Sequence, residues 1–148
     1  MNNMKINAAG LKIIKSIEQC RLTAYPDPAT GGVPWTIGWG STKGVHQGMT
    51  ITQAEADQRL LDDLAETEKV INDAVKVPLT SNQFSALVSL VFNIGPTNFL
   101  GHNLLALINQ KKYAEAAPHF LLYDKANGKE MPGLLARRKA EEALFLTP

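Results

Sequence analysis

The sequence has one cysteine, Cys20, in 148 residues, so no internal disulfide can form and stability does not call for an oxidising compartment. It also lacks an excess of either charge. Lys and Arg number 15, Asp and Glu 14, and the net charge of +1 gives no case for nucleic acid as a partner. No apolar run approaches the ~18–20 residues of a membrane span, so stable membrane insertion is not expected. The three histidines, His46, His102 and His119, share no metal-ligand spacing, and no metal site is expected. Gly38-x-Gly40 lacks the further glycines and the Lys-Ser/Thr of a phosphate loop. The opening "MNNMKINAAGLKIIKSIEQC" carries lysines within its apolar part and does not read as a signal peptide. A soluble, cytoplasmic product that needs outside help for export is the expectation.

What is present is an ordinary globular balance, 45% hydrophobic and 20% charged, in a length that suits one domain or two lobes sharing a core. Leu11, Ile14 and Ile17 recur at three-residue spacing and predict a first helix over about 8–20, with Glu18 beside its apolar stripe near the end. "PDPATGG" is turn chemistry. Val33, Trp35, Ile37 and Trp39 then alternate with Pro34, Thr36, Gly38 and Gly40, the pattern of a strand with one apolar face. The region of about 23–50 therefore reads as a small β lobe. Two capping boxes follow, "TQAE" from Thr52 and "TSNQ" from Thr80. The first opens a long helix of about 53–75 whose thin apolar stripe suits a bridge between lobes. The second opens a helix with Phe84, Leu87, Val88 and Val91 at core spacing, stopped by Gly95-Pro96. Further helices are predicted over about 98–110, 112–124 and 134–146, with Gly128, Pro132 and Gly133 before the last. One helix, a small sheet, then many helices is an α+β order.

The stretch "IEQCRLTAYPDPATGGVPWTIGWG" holds two carboxylates, Glu18 and Asp27, with eight residues between them. A pair of carboxyl groups can cleave a glycosidic bond: one, protonated, donates to the leaving oxygen, and the other, ionised, activates water or attacks the sugar. Their environments must differ for their proton affinities to separate. Glu18, at the end of an apolar helix, is the candidate acid, since partial burial favours the neutral form. Asp27, in a Pro- and Gly-rich turn, is the candidate base or electrostatic stabiliser. Such spacing also arises in proteins where the Glu is a solvated helix residue and the Asp an Asx-turn residue.

The segment Glu18-x8-Asp27 with Thr36-Ile37-Gly38-x-Gly40 resembles the active-site segment of phage-type lysozymes, glycoside hydrolase family 24, endolysins that cut peptidoglycan. "LTAYPD", "LTSNQFSALVSLVFNIG" and "YAEAAPHFLLYDKANGKEMPGLLARRKAEEALF" extend the likeness, in order, over nearly the whole chain. The resemblance implies Glu18, Asp27 and Thr36 as catalytic residues, with Thr36 helping Asp27 to orient water. It implies a single catalytic domain over residues 1–148. A β-rich lobe and a helical lobe (about 77–148 plus the first helix) would be joined by the long helix, with the glycan in the groove between them. The implied reaction is N-acetylmuramidase cleavage of the β-1,4 bond between N-acetylmuramic acid and N-acetylglucosamine. It would proceed with inversion, the carboxyl groups being roughly 6.5–9.5 Å apart. No cofactor is implied. The expected setting is a monomer made in the host cytoplasm during phage growth, acting on the wall after a separate pore-forming protein releases it. The sequence departs from the family in Gln19, where Gly is usual after the Glu, in a longer Asp27-to-Thr36 turn, and in Ser41, where His is common.

Three supporting positions carry two readings each. Arg137 would orient the Glu18 carboxyl by family position, while "ARRK" on a helix also reads as a solvated face. Tyr25 is cleft lining or packing against the β lobe. Asn93 hydrogen-bonds an N-acetyl group or caps its helix. Trp35 and Trp39 read as small-lobe core, and Cys20 as a buried, inert thiol. The rival functions are a lytic transglycosylase on the same bond, which needs no water-activating partner, and a non-catalytic cell-wall binding module.

Overall fold

The computed structural model describes residues 3–17, 19–27, 30–101, 103–123, 125–126, 129–130 and 132–148. Glu18, His102 and Gly128, all singled out in the sequence, lie outside the described residues. The chain divides into two compact units, Met1–Ile14 with Glu66–Pro148, and Lys15–Ala65. The fold is α+β, mostly helical, with two small two-stranded sheets among the described residues.

In the larger unit, helix α1 (Ala8–Ile17) begins at Asn7, whose Oδ1 accepts the Gly10 N–H at 3.0 Å while its own N–H donates to Ser85 Oγ at 2.9 Å. A cap of this kind stabilises by about 0.5–2 kcal/mol. A Cβ on Gly10 would lie 2.8 Å from both Ile6 Cγ1 and Ser85 Cβ, so only glycine permits this close approach. Before the helix, the segment around Met4 is tied to α2 (Gln53–Ala74): Met4 N–H donates to Asn72 Oδ1 at 2.9 Å, and Ile6 N–H to Glu68 Oε2 at 2.7 Å.

The core of this unit is α3 (Ser81–Ile94), buried continuously from Phe84 to Val91. Its start is the predicted capping box, with Thr80 Oγ1 accepting from Gln83 N–H at 3.0 Å and Gln83 Oε1 from Thr80 N–H at 2.8 Å. A helix buried on all sides must pack against others around its circumference. The last helix, α7 (Pro132–Leu146), packs along α3, and its Phe145 meets Phe120 with ring centroids 5.2 Å apart.

Two predicted helices are divided. The span 98–110 is α4 (Pro96–Leu100) and α5 (Asn103–Asn109). Pro96, expected only to stop α3, also starts α4 from its first turn, where its missing N–H costs nothing. The span 112–124 is α6 (Tyr113–Ala116) followed by a 3-10 helix, Ala117–Tyr123. Pro118 lacks the N–H an α-helix would need there. A short hairpin, β3 (Lys125–Ala126) with β4 (Lys129–Glu130), was not expected from the sequence.

In the smaller unit, β1 (Arg21–Tyr25) and β2 (Thr36–Gly38) pair antiparallel. Here the sequence reading is corrected: α1 ends at Ile17 and not near residue 20, and Arg21–Tyr25 is a strand. The alternation from Val33 to Trp39 yields a strand of three residues. Val33 is 74% exposed, and Gly38 at φ 63° turns the chain out of the strand. Ile37, Ile51 and Ala56 form the small core, with Cys20, Ala24, Trp39, Val45 and Met49 packed around it. Cys20 is half-buried, its Sγ 3.5 Å from Gln53 Nε2. The first predicted capping box, at Thr52, starts α2: Glu55 N–H donates to Thr52 Oγ1, and Thr52 N–H to Glu55 Oε1, each at 3.2 Å.

Candidate active site

The β1–β2 register decides which candidate residues meet. Tyr25 pairs with Thr36 and Arg21 with Gly38, with an irregularity between. Cross-strand partners share a face, so Tyr25 and Thr36 are neighbours there. Asp27 follows Tyr25 by two residues, in the turn that connects the two strands, and is half-buried.

A turn holds Asp27 by its backbone. Its N–H donates to Gly32 O at 3.0 Å, and its carbonyl accepts from Thr30 N–H at 3.2 Å and Gly31 N–H at 2.7 Å. Thr30 Oγ1 donates to Val33 O at 2.7 Å and accepts from Gly32 N–H at 3.2 Å, closing the turn from inside. The longer turn thus returns the chain to Thr36 opposite Tyr25. Thr36 is half-buried, and its Oγ1 donates to Pro34 O at 3.5 Å, long enough to yield to water. Arg21 stacks on Tyr25 with its guanidinium 5.1 Å from the ring centroid.

Gly38 fixes the end of β2. At φ 63° it adopts a conformation that side chains disfavour, and a Cβ there would lie 3.4 Å from Ala56 Cβ on α2. Ile37 and Ser41 exchange backbone hydrogen bonds at 2.9 Å in both directions. Ser41 is buried and accepts from Arg59 Nη1 at 3.3 Å, and the same nitrogen reaches Lys43 O at 3.1 Å. A small hydroxyl held by Arg59 therefore occupies the position at which the resemblance leads one to expect His.

Trp39 is half-buried beside the small core, and its indole N–H donates to Asp57 Oδ1 at 2.8 Å. Gln53 Nε2 donates to the same oxygen at 3.2 Å, and Lys15 Nζ lies 3.9 Å from it and 5.3 Å from the Trp39 ring centroid. The Trp39 hydrogen bond acts most strongly on the Asp57 carboxyl; desolvation opposes it, and Gln53 and the Lys15 charge add to it, so the carboxyl is held below its ordinary range.

The supporting residues Asn93 and Arg137 lie in the larger unit. Arg137 is 1% exposed, Arg138 0% and Glu141 0%, which overturns the solvated-face reading of "ARRK" for its two arginines. Arg137 Nε meets Glu141 Oε2 at 3.2 Å, and its Nη2 donates to Ser89 O at 3.0 Å. Its pairing with Glu18 falls outside the described residues. Arg138 donates from Nε to Tyr123 O at 3.0 Å, from Nη1 to Glu141 Oε1 and from Nη2 to Asn93 Oδ1. Ser89 Oγ donates to Glu141 Oε2. Burial chiefly lowers the Arg138 proton affinity, and Glu141 opposes it. Among the described residues no buried side-chain polar atom is left unpartnered.

The sequence reading singled out Arg138 within "ARRK" and Glu141 within the C-terminal motif but gave neither a role, and it missed Ser89. The signal was there: Glu141 stands three and four positions after the two arginines, and Ser85 and Ser89 interrupt an apolar helix at one-turn spacing.

The phage lysozyme family model matches residues 15–141. An endolysin of Acyrthosiphon pisum secondary endosymbiont phage 1 is 44% identical over 146 residues, covering 96% of this chain and 98% of that protein. The endolysin of Salmonella phage P22 is 44% identical over 149 residues, covering 97% of this chain and 99% of that protein. Among solved structures, the muramidase domain of SpmX from Asticaccaulis excentricus superposes with a TM-score of 0.89 at 38% identity. It covers 99% of this chain and 100% of that chain.

Proposed function

The chain belongs to the phage lysozyme family, and on that premise we propose how its residues divide the work of cutting peptidoglycan. The activity itself is peptidoglycan hydrolysis by a phage endolysin, a glycoside hydrolase. The bond is the β-1,4 link from N-acetylmuramic acid to N-acetylglucosamine.

Glu18 is the general acid that protonates the leaving oxygen. Asp27 is the base that takes a proton from water, and Thr36 orients that water. Attack comes from the face opposite the leaving group, so the configuration inverts. The observation that supports this division is the Tyr25–Thr36 register two residues short of Asp27, which brings a hydroxyl and a carboxylate to one end of the sheet. The weak hold on Thr36 Oγ1 is compatible with a water partner. Arg137 and Asn93 are supporting groups, and Tyr25 lines the substrate path. The protein is made in the host cytoplasm, acts as a monomer and reaches the wall with the help of a separate pore-forming protein.

Mass spectrometry of digested peptidoglycan tests bond, substrate and water use together. Muropeptides ending in reducing N-acetylmuramic acid are expected. Products ending in 1,6-anhydro sugar would replace the hydrolase with a transglycosylase, and no cleavage would leave a binding module.

A further inference from the structure

The seam between α3 and α7 contains a polar chain whose buried members, Ser89, Glu141 and Arg138, have been given no part in the two-carboxylate reaction. It runs from Ser89 through Glu141 to Arg138 and ends on Asn93, an exposed residue near the end of α3. The inward members are fixed. Arg138 is fully buried, and each of its three nitrogens has an oxygen partner: Glu141, the Tyr123 carbonyl and Asn93. Glu141 is in turn held by Arg137 and Ser89. A guanidinium so clamped cannot rotate without breaking several charge-assisted bonds at once.

We propose that Arg138 is a positioning residue that locks the Asn93 amide with its oxygen inward, so that position 93 offers the glycan only N–H donors. This rests on the muramidase reading above. An amide on an exposed helix end can flip and present either its oxygen or its nitrogen. A guanidinium has donors and no acceptor, so the amide atom against it must be the oxygen. A flipped amide would set two N–H groups against a cation. The surviving face, Nδ2, matches an acceptor, and the acetamido carbonyl of the sugar is one. The arginine thus acts through Asn93 and never touches the glycan.

The test compares wild type, N93D, R138K and R138M on soluble, uncrosslinked glycan strands, with KM, kcat and melting temperature measured for each. In N93D the inward oxygen and its contact with Arg138 remain, while the donors become an acceptor. Its KM should rise about tenfold, the cost of roughly one hydrogen bond, with kcat within about threefold and no loss of melting temperature. R138K retains a donor for the Asn93 oxygen, so it should melt lower yet keep KM within about twofold of wild type. R138M should raise KM as N93D does. A purely structural arginine would lower the melting temperature in both Arg138 variants without separating their KM values. Equal KM values for R138K and R138M, or a wild-type KM in N93D, would overturn the assignment. A wild type that leaves the strands uncut would fail earlier, at the muramidase reading itself, and take this inference with it.

Discussion

Glu141 sits beneath both arginines of the last helix, its Oε2 3.2 Å from Arg137 Nε and its Oε1 on Arg138 Nη1, with all three side chains out of water. One carboxylate therefore pairs with two buried cations and also accepts from Ser89. Removing one member of such a group leaves charge without a partner in a medium that solvates it poorly.

Glu141→Ala should therefore cost about 3–5 kcal/mol, well above a typical surface change. Urea denaturation of the purified variant measures it. A loss under about 1 kcal/mol would mean that water or rearrangement compensates both guanidinium groups.

Glu18→Gln should abolish clearing of cell-wall suspensions while circular dichroism and melting temperature stay at wild-type values. Loss of a general acid accounts for about 10²–10⁴-fold in rate. Full lytic activity in this variant would end the two-carboxylate mechanism.

Asp27→Asn should also fall steeply, with the residual product still ending in a reducing sugar. Wild-type rates with 1,6-anhydro ends would show that the sugar's own C6 hydroxyl attacks and that Asp27 has no water to activate.

Gly38→Ala tests how the end of β2 is set. At φ 63° an L side chain costs roughly 1–2 kcal/mol. The added methyl would also press on Ala56 at 3.4 Å. A lower melting temperature and reduced turnover are both expected, because Thr36 stands two residues earlier in the same strand. Wild-type values of both would mean the strand end adapts freely.

Asp57 gives a pH dependence. Its folded-state proton affinity is lowered, first by the Trp39 indole, so its contribution is present above the ordinary value of 3.8 and fades as pH falls through the lower folded value. The melting-temperature gap between wild type and Asp57→Asn should be larger at neutral pH than in strong acid. A gap that does not change with pH would mean that the charge on Asp57 contributes nothing.

Much of the candidate site was legible because it is local. Asp27 stands in a turn made of Pro, Thr and Gly, and the capping boxes at Thr52 and Thr80 need only four consecutive residues. The strand partner of Thr36 was not legible. Arg21–Tyr25 reads as mixed and half exposed, and nothing within five residues announces that Tyr25 will lie against Thr36. Trp39 read as core because periodicity records apolar character and is blind to an indole N–H reaching Asp57.

The order of residues determined, by itself, the α+β sequence of elements, the long helix from Gln53 and the family. These follow from spacing, caps and motifs, whose physics acts over one or two turns of chain. The tertiary structure alone decided that two arginines with the look of a wet helix face are buried on Glu141, and that Ser89, 52 residues away, shares that carboxylate. Burial of charge depends on which surfaces dock and on the partners they bring, and no local pattern contains the far side of the contact.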